Sequence, residues 1–254
     1  INKALKRPGD TANAYYYIFD EKNVVQYGEG GCEQSISTAV YINNKDGIDR
    51  WKEASLPYNS VYQDVTILKA EVIKANGARV PAETYGNQIV FSRLEEADPI
   101  YLNYKASSFA IAPLGREFWH KFYFTASVST AIARYNVMID DKLPIYYEFQ
   151  NNKTQKPAES KLEHFCLYAW EMKDVPAYRK ESFMPNIDDI GQVLHVSTVK
   201  SWDIIAEWYS DLTRMQCRED FSLNAAFAEI FPKGVKDLNE WQKARSIYEY
   251  IEKN

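Results

Sequence analysis

The stretch Phe165–Tyr209, FCLYAWEMKDVPAYRKESFMPNIDDIGQVLHVSTVKSWDIIAEWY, divides the chain. It begins as a β-type run that ends at Trp170-Glu171, continues through an irregular segment with Pro176 and Pro185, and passes through His195-Val196-Ser197-Thr198 into a helix opening near Ser201-Trp202. The sequence upstream reads as β and the sequence downstream as α.

Upstream, short alternating runs are separated by turn signals. Tyr15 to Phe19 and Val24 to Tyr27 read as strands joined by a polar turn at Asp20-Glu21-Lys22-Asn23, and Ser35 to Ile42 as the next strand. Ile48 to Trp51 reads as one helical turn. Val65-Ile67 and Val72, then Asn76-Gly77, then Arg79-Val80-Pro81 read as a hairpin, with Asn-Gly supplying the positive φ angles of a type I′ turn. Further strands are expected at Gln88 to Phe91, Ile100 to Lys105, Phe118 to Ser127, Ala133 to Ile139, Pro144 to Phe149 and Leu162 to Trp170, with Lys153 to Lys161 as a polar hairpin tip. About ten short strands at close spacing, with no helical period among them, are the pattern of an antiparallel β-sandwich.

Downstream, Trp202, Ile205, Trp208, Tyr209 and Leu212 recur at helical spacing behind Ser201 as N-cap. A shorter helix at Leu223 to Phe231 is stopped by Pro232 and Gly234. A last helix opens with Asp237 and Glu240 as an acidic capping box, and Leu238, Trp241, Ala244, Ile247, Tyr248 and Ile251 form its apolar stripe. The fold class is therefore mainly β with a C-terminal α part.

Composition narrows the function. A net charge of -5 argues against nucleic acid, whose phosphates need a basic footprint. No apolar run approaches the roughly 18 residues of a membrane span, so no transmembrane segment is expected. Aromatics at 15%, with 19 Tyr and 6 Trp, fit either tyrosine-rich sheets or a sugar-binding surface. Cys32, Cys166 and Cys217 form neither a CxxC pair nor a disulfide framework. The chain begins at Ile1 rather than Met, which reads as a processed N-terminus with an export signal removed.

Few residues carry a chemical signature. Cys32 follows Gly30-Gly31 but leads into a strand, without the helix N-terminus that activates a thiolate. His164 and Cys166 share strand parity yet lack a third ligand for a metal. His120 reads as a strand residue among aromatics, and His195 as a residue fixing a linker. Glu95-Glu96, Asp140-Asp141 and Asp188-Asp189 read as solvated loops, and Asn152-Lys153-Thr154 matches a glycosylation sequon. Trp202, Trp208 and Trp241 at helical spacing are candidate interdomain contacts. Trp119 and Tyr123 are candidate ligand contacts, because aromatic faces stack on sugars. No catalytic residue, cofactor or metal site is expected.

Several motifs together resemble a bacterial family. They are Ser55-Leu56-Pro57-Tyr58-Asn59, Ala70-Glu71-Val72-Ile73-Lys74-Ala75-Asn76-Gly77, Tyr168-Ala169-Trp170-Glu171, Val175-Pro176, Glu181, Met184-Pro185, Val196-Ser197-Thr198 and Ser201-Trp202 with Trp208-Tyr209. The chain is similar to the domain of unknown function, family 3857, that precedes transglutaminase-like domains in exported proteins of the Bacteroidetes. The resemblance implies a β-sandwich accessory domain at 1–185, a linker at 186–200, and a helical segment at 201–254 that begins a truncated transglutaminase-like, papain-type domain. In that family the nucleophilic Cys follows a helix like Leu238 to Ile251, with His and Asp later, so the resemblance puts the triad beyond Asn254 and carries no catalytic residue over. Cys217 does not match the family nucleophile.

The function expected is thus a non-catalytic accessory module of a larger cysteine peptidase or amidase, itself no enzyme, periplasmic or extracellular. Its partner would be its own downstream transglutaminase-like domain. The alternative is a glycan- or peptide-binding module using exposed aromatics.

Overall fold

The structure, a computed structural model, describes residues 12–109, 116–151, 155–179, 181–214, 216 and 220–253. The chain divides into two compact units, Ile1–Ser201 and Trp202–Asn254. It is mainly β, with helices at the C-terminal end.

In the first unit, runs rich in Tyr, Val, Ile and Thr form the strands, as β-branched and aromatic side chains favour a pleated surface. An eight-stranded sheet contains β1 (Tyr15–Gln26), β2 (Cys32–Ile42), β4 (Gln63–Ile73), β5 (Arg79–Pro81), β8 (Pro99–Ser108), β10 (Thr130–Asp140), β12 (Ala158–Leu162) and β13 (Phe165–Val175). Their order is β12-β13-β10-β1-β2-β8-β4-β5. A second sheet is β3 (Glu53–Ser55), β7 (Gln88–Val90) and β6 (Glu83–Tyr85), in that order; a third is β11 (Tyr146–Gln150), β14 (Val193–Ser197) and β9 (Trp119–Tyr123). The sheets are not uniformly antiparallel as expected: β1 and β10 pair in parallel, with Lys22 opposite Tyr135 and Val24 opposite Val137.

One face of the large sheet carries both main cores. The register aligns Lys22 with Ile36 and Ile36 with Tyr104, and the bulge in β1 keeps Tyr17 opposite Val40. Val24, Ala133, Tyr135, Val137, Trp170 and Met172 on that face pack against Phe122, Phe149, Leu194 and Val196 of the β11-β14-β9 sheet. Val40, Ile42, Val72, Ile100 and Leu102 pack against Leu56, Ile89 and Phe91 beside the β3-β7-β6 sheet. Each fully buried side chain of this kind contributes about 1.5–3 kcal/mol.

The short helix α1 (Lys45–Trp51) leads into β3, with Asn44 as N-cap accepting from the Gly47 N–H. Gly47 is buried, and a Cβ there would lie 2.2 Å from the Ala14 carbonyl oxygen. Only a residue without a side chain permits that approach.

Several expectations are corrected. The polar turn at Asp20–Asn23 does not exist: β1 runs unbroken through these residues, because neither Gly nor Pro interrupts the pleat and the polar side chains alternate between the two faces, Asp20 and Lys22 on one and Glu21 and Asn23 on the other. The hairpin of β4 and β5 forms, but not with a type I′ turn. The Gly77 N–H donates to the Lys74 carbonyl at 2.8 Å, and Gly77 has a positive φ while Asn76 does not. Residues 158–162, read within a polar tip and the following strand, are β12, paired along β13. His164 lies in the turn between β12 and β13 rather than on a strand face with Cys166. Residues 186–200, read as a linker, hold the one-turn helix α2 (Ile187–Ile190) and β14, the middle strand of its sheet.

The second unit consists of α3 (Trp202–Arg214), α4 (Phe221–Ile230) and α5 (Glu240–Lys253). Asp220 caps α4 by accepting from the Leu223 N–H at 2.7 Å. The capping box of α5 is Asn239 with Gln242, each side chain accepting from the other's backbone N–H at 2.9 Å, rather than Asp237 with Glu240. None of the described residues in these three helices is buried. The sequon at 152–154 and Cys217 lie outside the described residues.

Candidate functional site

The two small sheets leave a cleft of about 420 Å3 between them on the shared face of the large sheet. Its floor is polar where the neighbouring cores are apolar. Asp20 and Lys22 come from β1, Ile36 and Thr38 from β2, and Leu102 and Tyr104 from β8. One wall is Arg50 and Trp51 at the end of α1 with Glu53 to Leu56 along β3; the other is Lys121, Phe122 and Tyr123 of β9.

The floor charges are placed with few partners. Asp20 accepts a hydrogen bond from Thr38 Oγ1 at 2.8 Å, and burial raises its carboxyl above the ordinary range, against the lowering effects of that bond and of Lys22. Burial pushes the Lys22 ammonium down, while Asp20 and Cys32 pull it back. The Lys22 ammonium makes no hydrogen bond or ion pair among the described residues. In the wall, Arg50 lies 6.0 Å over the Trp51 ring, and the Trp51 Nε1 is buried without a hydrogen-bond partner. Lys121 is neutralised by Asp188 at 3.0 Å.

The groups beside the floor are not poised for acid–base or nucleophilic work. Burial pushes the Cys32 thiol up to about 11, leaving it protonated at neutral pH. Burial, with Lys22 adding to it, brings His120 down to about 3, so the imidazole is neutral; its Nδ1 lies 3.0 Å from the Tyr135 hydroxyl. Tyr17 and Tyr104 are raised, first of all by burial. The arrangement is suited to binding, with cations, anions and aromatic faces around one slot.

The structure separates the residues singled out from sequence. Tyr123 lines the cleft, whereas Trp119 at 59% exposure stands outside it. Trp202 and Trp241 are 84% and 74% exposed in the helical unit, and Trp208 is half-buried. His195 lies in β14, its Nε2 3.0 Å from Gln150 Oε1. Among the described residues no group of three or more His, Cys, Asp or Glu is placed to hold a metal ion, and no helix is long and apolar enough to cross a membrane. Sequence reasoning missed Asp20, Lys22, Thr38, Arg50, Trp51 and Tyr104. The available signal was the spacing of Asp20, Lys22, Val24 and Gln26 at every second position, with neither Gly nor Pro between them.

Residues 29–114 match the family model of DUF3857, a Domain of Unknown Function. The DUF3857 stretch supplies β2 and β8 of the floor and the whole β3 wall, while β1 and β9 lie outside it. A crystal structure of a putative protease from Parabacteroides distasonis is similar with a TM-score of 0.76 at 16% identity, over 95% of this chain and 50% of that one. The chain thus spans half the length of that protein, and the likeness is one of fold. An M1 zinc metallopeptidase from Deinococcus radiodurans reaches a TM-score of 0.41 at 10% identity, over 74% of this chain and 42% of that one. Legionella pneumophila aminopeptidase A in complex with aspartic acid reaches 0.40 at 10%, over 72% and 21%. No curated protein matches the chain.

Proposed function

We propose that the β unit is a non-catalytic accessory module, a β-sandwich that supports a transglutaminase-like catalytic domain of an exported peptidase or amidase, or presents substrate to it. The observation that carries this reading is the likeness to the putative protease, which takes in 95% of this chain and half of that one. The chemistry beside the cleft agrees: the Cys32 thiol is held protonated and the His120 imidazole, buried and neutral, binds protons too weakly to serve as a base at neutral pH. The exposed apolar residues of α3 and α5, Trp202 and Trp241 among them, would contact that catalytic domain, with Trp208 beside them.

Isolated from its own cells, the protein is expected as a species well above 29.4 kDa. Its iodoacetamide-sensitive hydrolase activity should survive replacement of Cys32, Cys166 and Cys217 by serine. A native species of 29.4 kDa, or activity lost with Cys32→Ser, would overturn the reading. A second reading, a glycan- or peptide-binding module, is favoured by the aromatic side chains of Trp51 and Tyr123 in the cleft walls.

A further inference from the structure

The cleft lies between two unpaired strand edges. β3 ends the β3-β7-β6 sheet and β9 ends the β11-β14-β9 sheet, and each contributes three residues to the lining, while β7 and β14 contribute none. In an antiparallel pair, alternate residues turn their N–H and C=O toward the partner, and the residues between turn theirs away. The Phe91 N–H donates to the Lys52 carbonyl and the Leu56 N–H to the Asn87 carbonyl, both at 2.8 Å, which fixes the even-numbered residues as those facing β7. The backbone groups of Glu53 and Ser55 therefore point to the open edge. The Thr198 N–H donates to the Phe118 carbonyl at 2.8 Å and the Phe124 N–H to the Gln192 carbonyl at 3.0 Å, so those of Lys121 and Tyr123 point to the open edge of β9. Two rows of backbone donors and acceptors without a partner among the described residues thus border one slot, and the partner that satisfies both rows is an extended polypeptide.

The floor states which side chain such a polypeptide would turn inward. The Lys22 ammonium is half-buried and free of any ion pair among the described residues, whereas the Asp20 carboxylate is held by Thr38. Ile36, Leu102 and Phe122 around it are apolar. A strand with one inward carboxylate flanked by inward aliphatic side chains matches this surface. We propose that the cleft accepts an extended acidic peptide as an added β-strand between β3 and β9, with its inward carboxylate on Lys22. The proposal names the ligand class of the cleft that the accessory reading uses for substrate presentation, and rests on that reading for its role but not for its chemistry.

The test is calorimetric titration of the 254-residue chain with the synthetic peptide acetyl-Val-Thr-Glu-Thr-Val-amide. Saturable binding is expected. Replacing the peptide's Glu with Lys, or N-methylating both of its Thr residues, should weaken it by at least about tenfold. Lys22→Met should erase the preference for Glu over Lys while leaving the circular dichroism spectrum unchanged. If that variant fails to fold, Ser55→Pro, which removes one edge donor, should weaken the parent peptide in the same way. Absence of binding, indifference to N-methylation, or an unaltered preference in Lys22→Met (unaltered affinity in Ser55→Pro, where that variant stands in) would overturn the proposal. Peptide binding by a protein whose native species is 29.4 kDa would keep the slot and remove the accessory role, and the opposite pair of results would do the converse.

Discussion

Lys22 and Tyr135 are cross-strand partners on the same face of the same sheet, yet their surroundings are opposite. Tyr135 is fully buried and stacks on His120, Phe122 and Trp170, with ring centroids 5.4, 4.8 and 6.1 Å away. Lys22, one strand over, sits on the floor of an open cleft. The difference lies in what covers each position. The β11-β14-β9 sheet roofs β10 and β13 but stops at the edge of β9, and the β3-β7-β6 sheet begins again beyond the gap. A continuous sheet therefore carries a dry region under one small sheet and a solvent-open one on the cleft floor, and the boundary between them is one strand wide.

Substitutions on either side of that boundary should separate cleanly. Tyr135→Ala, which empties the aromatic stack, should cost about 3–5 kcal/mol in denaturant unfolding. A loss below about 1 kcal/mol would mean that the dry region is not the core. The acid limb of stability is next in size. His120 is held neutral down to about 3 in the folded state against an ordinary value of 6.5, so the unfolded chain binds the extra proton between those values. Its contribution is fully present above pH 6.5 and is lost as pH falls toward 3; between pH 7 and pH 4 the loss should be about 3 kcal/mol. His120→Phe, a ring that keeps the stack on Phe118 and Tyr135, should remove most of that slope.

Gly47→Ala should destabilise by about 1–3 kcal/mol, since its methyl group meets the Ala14 carbonyl in the segment that leads into β1. On the wet side, Lys22→Met should raise stability by about 1 kcal/mol at neutral pH, because the ammonium is desolvated without a hydrogen-bonded partner. A marked loss instead would make Lys22 a structural cation and blur the comparison. Trp119→Ala should stay within about 0.5 kcal/mol of the parent, as an exposed ring outside the cleft.

Much of the fold was legible. The alternating runs at Ser35–Ile42, Ile100–Lys105 and Ala133–Ile139, the hairpin at Asn76-Gly77 and the three C-terminal helices each carry a local period or a turn residue that acts within a few positions. The cleft was not legible, for a related reason. Asp20-Glu21-Lys22-Asn23 is as polar as a turn, and polarity is what a surface loop and a solvated strand face have in common. The Lys74–Ala78 segment, equally polar at its tip, does turn, because Gly77 takes the left-handed conformation that Asp20 to Asn23 have no glycine to adopt. The short strands β3 and β14 escaped notice because three to five residues give no readable period, and both are defined by their neighbours in a sheet.

The sequence by itself determined that the chain begins as β and ends as α, which residues form most of the long strands, and that its cysteines and histidines lack the spacing of a metal or catalytic motif. These are local properties, set by periodicity, turn chemistry and composition. Tertiary structure alone decided that β1 runs parallel to β10, that two small sheets share one face, and that a cleft separates them. Those outcomes depend on pairing between residues as far apart in sequence as Lys22 and Tyr135, or Glu53 and Val90, and no local signal encodes which edge remains open.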